Sequence, residues 1–469
     1  VPRFEYDPIS LQRDLGRPDA AFFDDEMKRL ALEAIDHYAV QIEQPIILHS
    51  DWTLDDTLTG FADRIAATLT SRETWRTYAI EAEVFARFLM ARHGRRLADL
   101  READLWEYRN RRLYGPLSER LSPNSWNKVA AVILRMLRHL KIHFSEVTWR
   151  SYCGTREADD QVKMVSLENY VTFRETGMMS GRNNLRNGAF SEMLVTTGIR
   201  CNECSHILRQ EIPKIGLFQD DITRIWSIPA TVTKWEKGRD TFISKRVIKN
   251  FINPYIYEER SHVAAKIISE RFPLKSYSPR TLTMSNNSIF FQLRRPGIAE
   301  VIAGDARKIE MPLANFTLRE RERLIEVRPI GQPNRFKVVD FGSLWISEIG
   351  TCVSNSAWRS AFSAALARSG LEEQVGVDIT PHVLRHTFAV YMLSFMLKGL
   401  VELRIARGHL NSRGEIYDAL IGDPLQVLQE LLGHRSIKTT FKYLRFSRKH
   451  SRMISLAFEA WDAHMALAA

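Results

Sequence analysis

The stretch LLGHRSIKTTFKYL at residues 431–444 sets His434 nine positions ahead of Tyr443. A tyrosine taken alone is most often a buried aromatic, because a phenol with a free pKa of about 10 is mostly unreactive near neutrality. This one has company further up the chain. TTGIRCNE at 196–203 supplies Arg200 and Glu203, and TKWEKGR at 233–239 supplies Lys234, Lys237 and Arg239. PHVLRHTFA at 381–389 supplies His382 and Arg385. Each stretch carries groups that bind phosphate or move a proton.

Taken in order, these stretches resemble the conserved boxes of the tyrosine recombinases, the phage-integrase and Xer-type family. The first is similar to TGxRxxE, the second to a hairpin box Lys-x-x-Lys-x-Arg, the third to His-x-x-Arg. The last is similar to LLGH followed nine positions on by Tyr. The resemblance spans roughly residues 70–450. It implies a mainly α fold with a small antiparallel β-sheet (α+β), in which a helical core-binding domain and a catalytic domain form a C-shaped clamp around DNA. It also implies a site-specific recombinase working on double-stranded DNA with a specific crossover site, self-associated as a tetramer on two duplexes.

The chemistry gives each group a reason to be there. Displacement at a phosphodiester places extra negative charge on the non-bridging oxygens, and two guanidiniums can hold these through planar, forked hydrogen bonds. Arg200 and Arg385 suit that task, with His434 donating a further hydrogen bond. Tyr443 attacks and needs a neighbour to accept its proton; His382, which titrates in the useful range, is the expected base. Lys234, on a hairpin tip, is the expected acid for the departing 5′ oxygen, with Lys237 as its substitute. A 3′-phosphotyrosyl bond conserves the energy of the broken linkage, so no cofactor, ATP or metal is called for. Glu203 reads as an orienting residue for Arg200. His382 and His386, four apart, could make half a metal site, but no third ligand with sensible spacing accompanies them.

Composition supports a polyanionic partner. The 469 residues carry a net charge of +10. Residues 1–70 hold 14 Asp/Glu against 6 Lys/Arg, so the remainder carries +18. Such a basic body fits DNA first, RNA second, and an anionic membrane distantly. No basic-then-apolar leader opens the chain, and the absent initiator Met suggests a trimmed start. The four cysteines are too few for a disulfide framework, and Cys201-Asn-Glu-Cys204 reads as structural thiols. A cytoplasmic, nucleoid-associated protein with no membrane partner is expected.

Along the chain, residues 1–60 form an acidic front segment with one helical candidate at Asp24–Tyr38. Residues 61–150 read as the helical core-binding domain. Trp75, Tyr78, Ala79, Ala82, Phe85 and Leu89 make one apolar face, a second helix covers Glu102–Leu113, and a third runs from Ser125 to Ile142. The outer face of that third helix carries Lys128, Arg135, Arg138 and Lys141, which together with Lys237 and Arg239 are the candidate DNA contacts. Residues 151–165 read as a linker and 166–469 as the catalytic domain. Within it, Ile222–Ser244 is a hairpin with its turn at Glu236–Arg239.

Three features depart from compact family members. Lys234 and His382 are separated by 148 positions, which places an insertion at about 274–337, with FTLRERERL (316–324) as a solvated helix inside it. A shorter insertion falls around Gly399–Gly422, and the acidic front segment is unlike a basic arm-binding domain. The apolar spacing after Tyr443 predicts a C-terminal helix; the resemblance implies that it docks on a neighbouring protomer, with packing on its own domain as the alternative. Two other functions share parts of this pattern: a type IB topoisomerase, and a DNA-binding regulator without catalysis. Histidine at 382, where topoisomerases of this lineage generally have lysine, favours recombination, as does the complete set of site residues.

Overall fold

The computed structural model describes residues 3–5, 44–47, 55–69, 72–154, 162–217, 222–234, 236–284, 288–302, 308–332, 334–376, 378–406 and 423–443. The helix expected at Asp24–Tyr38 and the segment after Tyr443 lie outside the described residues, as does most of 399–422. The chain divides into two units, Val1–Asp159 and Asp160–Ala469.

In the first unit, β1 (Arg3–Glu5) pairs antiparallel with β2 (Pro45–Ile47). Then α1 (Asp56–Thr68) starts at Asp55, whose side chain accepts from the Leu58 N–H. This helix runs straight across position 60, because Leu58, Phe61, Ala62 and Ile65 bury one continuous face. Three longer helices follow: α2 (Arg72–His93), α3 (Glu102–Tyr114) and α4 (Pro123–His139). Trp75, Ala79, Ala82, Phe85 and Leu89 of α2 are buried, as their spacing predicts. Helix α4 opens with Ser122 as its cap and Pro123 in the first turn, and it buries Val129, Val132, Ile133, Met136 and Leu137. Trp126 locks the bundle by donating Nε1–H to the Tyr152 carbonyl at 2.9 Å. Burying side chains of this size contributes roughly 1.5–3 kcal/mol each.

The second unit is built around α5 (Asn184–Thr197), which is buried on nearly every side from Asn187 to Val195. Phe190 stacks on Trp358 with centroids 3.5 Å apart, and Trp345 meets it edge-on at 5.3 Å. Helix α5 ends at Gly198, and a short helix α6 (Cys201–Ser205) begins after Arg200. The hairpin is present as β3 (Thr223–Ile228) against β4 (Arg239–Ser244), with Ile228 opposite Arg239. Helix α7 (Asn355–Ser369) supplies Trp358 and Phe362 to the core; α8 (Pro381–Ala406), α9 (Pro424–Leu432) and α10 (Ile437–Phe441) complete the unit.

Between the hairpin and α7 lies a sheet that the sequence reading did not resolve. Five strands, β5 (Ile289–Arg295), β6 (Ile298–Ile302), β7 (Lys308–Pro312), β8 (Leu324–Pro329) and β9 (Phe336–Phe341), run in the order β7-β6-β5-β8-β9. The β5–β8 pair is parallel and the others antiparallel. One hairpin turns at Pro296–Gly297, where Gly297 has φ +77°. The solvated helix expected at FTLRERERL is corrected: a single turn, Leu318–Arg321, is capped by Thr317, and the chain enters β8 at Leu324. Arg321 points inward, 1% exposed, because Glu211 and the carbonyls of His206, Leu313 and Phe316 accept from its guanidinium. That anchorage fixes the sheet to the segment directly following α6.

Candidate active site

Three consecutive carbonyls at the end of α9 organise the site. A helix leaves its last carbonyls without intrahelical partners, and they form the negative end of its dipole. Here Arg239 Nε donates to Leu431 O at 3.0 Å, Arg385 Nη2 donates to Leu432 O, and Arg200 Nη2 donates to Gly433 O at 3.1 Å. Three guanidiniums from three distant boxes therefore converge on LLG, one residue before His434.

Two glycines make this approach possible. Gly433 has φ +60°, and a Cβ there would sit 2.8 Å from Arg239 Cδ. Gly198 has φ +64°, its carbonyl accepts from Arg385 Nη1, and a Cβ would overlap the Phe388 ring at 2.2 Å. Both positions need the left-handed backbone and the missing side chain.

Glu203, 1% exposed, ties the cluster together. Its carboxylate accepts from Arg200 Nη1 at 2.7 Å, the Arg200 backbone N–H at 3.0 Å, and Arg239 at 3.0 and 2.6 Å. Burial pushes its carboxyl up, but Arg239 and Arg200 outweigh that and bring it down to about 2. The expectation that Arg239 is a surface DNA contact is corrected: its side chain is 8% exposed and braces Glu203 against α9. Lys234 and Lys237 are exposed on the loop preceding β4.

Arg385 is 3% exposed, and among the described residues it donates to two carbonyls and to no carboxylate. Burial and the Arg200 charge lower its guanidinium to about 9.

The Tyr443 side chain is buried at 1% exposure, and its ring lies parallel to that of His434, centroids 6.1 Å apart. His434 Nδ1 is 3.0 Å from Thr440 Oγ1. Burial, Arg385 and Arg200 lower the His434 imidazole to about 3. Lys442 Nζ lies 5.1 Å from the Tyr443 ring centroid, and burial followed by Arg385 lowers its ammonium. Burial pushes the Tyr443 phenol up to about 12, with Arg385 and Arg200 pulling the other way.

One polar neighbour of Tyr443 was missed. The Tyr443 hydroxyl is 2.8 Å from His386 Nδ1. His382, the expected proton acceptor, lies a helical turn away and makes no hydrogen bond to that hydroxyl among the described residues. It is exposed, and its ring meets His386 edge-on with centroids 4.2 Å apart. The signal was the four-residue spacing on α8, which reads equally as half a metal site. No group of three metal-ligating side chains occurs among the described residues.

No family model matches the chain. By sequence it is similar to the tyrosine recombinase XerC of Haemophilus influenzae (strain PittEE), 26% identical over 150 residues, which is 27% of this chain and 41% of that protein. It is also similar to the tyrosine recombinase XerA of Pyrococcus horikoshii, 31% identical over 80 residues, 17% of this chain and 19% of the relative. The chain thus spans about two fifths of the length of the first of these relatives. Among solved structures, XerH site-specific recombinase bound to palindromic difH substrate is 13% identical with a TM-score of 0.48, covering 96% of this chain and 93% of that one. The Tn1549 transposon integrase in complex with circular intermediate DNA is 10% identical with a TM-score of 0.40, covering 82% and 94%. The family this chain resembles is the tyrosine recombinases. Among the described residues no helix is long and apolar enough to cross a membrane.

Proposed function

We propose that this protein is a site-specific DNA recombinase that cleaves and rejoins strands through a 3′-phosphotyrosyl bond to Tyr443. The observation that carries this reading is the convergence of Arg200 and Arg385 on adjacent carbonyls, beside the Tyr443 and His434 rings. Each arginine has five N–H donors, and among the described residues each side chain hydrogen-bonds through its two terminal nitrogens alone. Donors left over at two adjacent cations make a fork for one phosphate.

In this reading Tyr443 Oη attacks phosphorus, the P–O5′ bond breaks, and Lys234 protonates the departing oxygen. Arg200, Arg385 and His434 hold the non-bridging oxygens as charge develops. A 5′-hydroxyl of a partner strand then attacks the phosphotyrosine and restores the linkage. The first unit contributes phosphate contacts through Lys128 and Arg138, which fix register without reading bases. Four subunits on two duplexes, and a nucleoid location, follow from the same reading.

The test is a pool of nicked duplexes of randomised sequence, with covalent complexes recovered under denaturing conditions. The wild-type chain should give a DNA adduct that survives denaturation, and Tyr443→Phe should give none. An adduct with the Phe variant would remove Tyr443 as nucleophile and with it this reading.

A further inference from the structure

The attacking hydroxyl needs somewhere to send its proton, and among the described residues the one ring nitrogen within hydrogen-bonding distance of it is His386 Nδ1, at 2.8 Å. His386 is itself buried, 7% exposed, while His382 on the same face of α8 is open to solvent. The two imidazoles touch edge-to-face, and the His386 ring centroid is 5.6 Å from that of Tyr443. The inner ring thus lies between the nucleophile's hydroxyl and an outer ring that is open to solvent, the two rings being in van der Waals contact.

Resting on the strand-transfer reading above, we propose that His386 accepts the Tyr443 proton and passes one on through His382 to solvent. Tyr443 Oη–H breaks as Nδ1–H forms on His386, and the Nε2 proton of His386 leaves toward His382 in the same event. No buried imidazolium is left behind.

That last feature decides between a relay and a simple base. Burial, His382, Lys442, Arg385 and His434 hold the His386 imidazole down at about 3, while burial holds the phenol up at about 12. Both directions disfavour a resting ion pair between Tyr443 and His386. A neutral ring that takes a proton on one nitrogen and gives one up from the other avoids the cationic form altogether. Partial burial lowers His382 too, followed by Lys442, Arg385 and Arg200, but it has water to receive the charge. A phosphate seated on Arg200 and Arg385 offsets the cations that depress both rings. The relay therefore operates with DNA bound and stays idle without it.

The relay requires His386 to be the Nε2–H tautomer, with the Tyr443 hydroxyl donating to Nδ1. Long-range ¹H–¹⁵N correlation on the full chain, with Tyr443→Phe used to assign His386, should show an unprotonated Nδ1; a protonated Nδ1 overturns the proposal. On a duplex recovered from the randomised pool, His386→Asn should slow single-turnover cleavage by ~10²–10⁴-fold. That loss should persist across pH and in added imidazole. His382→Ala should lose less and recover with imidazole, because its place is open to solvent. Cleavage by His386→Asn at the wild-type rate, with Tyr443→Phe still inert, overturns the relay and leaves the strand-transfer reading standing. An adduct formed by Tyr443→Phe sinks that reading instead.

Discussion

Arg321 and Arg385 are both buried guanidiniums of the second unit, and they are held in opposite ways. Arg321 makes hydrogen bonds through all three nitrogens, two of them to the Glu211 carboxylate at 2.8 Å. Arg385 donates, among the described residues, to two carbonyls through its terminal nitrogens only. A buried charge with every donor matched is a structural brace. One with donors to spare and no hydrogen-bonded carboxylate is destabilising by itself, because burial disfavours its charged form. Its guanidinium, brought down to about 9, carries that penalty in full at neutral pH. Arg260 belongs with Arg321: it is held by Asp340 and by the carbonyls of Phe341, Ser343 and Leu344.

The largest effects should separate these two kinds. Arg385→Met should cut single-turnover cleavage by ~10²–10³-fold or more, while the urea midpoint holds or rises. Arg321→Met should lower unfolding free energy by roughly 3–5 kcal/mol, because it strands the Glu211 carboxylate. Urea titrations of both variants decide it, and an equal stability loss in the two would break the comparison.

Glu203 lies between the extremes, bracing Arg239 while leaving Arg200 partly open. Its folded pKa is depressed, so its contribution is present above the unfolded carboxylate range and is lost as pH falls toward 2. The amount is on the order of 3 kcal/mol. Stability measured between pH 5 and about 2 should fall less steeply in Glu203→Gln than in the wild type. Equal slopes would assign the pairing to the unfolded chain as well.

A smaller effect tests the carbonyl ladder. Gly433→Ala imposes a Cβ at positive φ and against Arg239, whereas Gly94→Ala imposes positive φ with nothing within 4 Å. Gly94→Ala should cost about 1 kcal/mol. Gly433→Ala should cost more and should also slow cleavage, since it shifts the carbonyl that holds Arg200.

The contrast also marks what could be read from the sequence. Helices α2, α3 and α4 were legible because a 3.6-residue apolar rhythm is imposed by burial of one face. The arginine boxes were legible because their chemistry demands particular side chains. Arg239 was misplaced because a basic residue in a hairpin box looks the same whether it faces solvent or a buried glutamate. His386 was overlooked for a related reason: spacing shows that it shares a face with His382, and not that Tyr443 folds back onto it. The five-stranded sheet escaped because β5 and β8 pair across 35 positions, between Ile289 and Leu324. Its strands are short apolar runs, such as IAEVI and FKVVDF, separated by a charged turn, and the inward turn of Arg321 becomes reasonable only once Glu211 is beside it.

The smallest expected effect carries the comparison into the first unit. On the outer face of α4, Lys128 and Arg138 are exposed, whereas Arg135 donates to Thr68 Oγ1 at 2.8 Å and lies over the Tyr78 ring at 5.9 Å. Lys141 follows the helix with φ +57°. Cations that contact phosphate release counterions, so each one removed should reduce the salt slope of DNA binding by about 0.9. Lys128→Ala and Arg138→Ala should each do so and leave unfolding within about 0.5 kcal/mol of wild type. Arg135→Ala should lower stability more than either, because its head packs α4 against α1 and α2. A salt slope unchanged in the first two variants would confine the DNA contacts to the second unit, and Arg135 would then stand as a brace like Arg321.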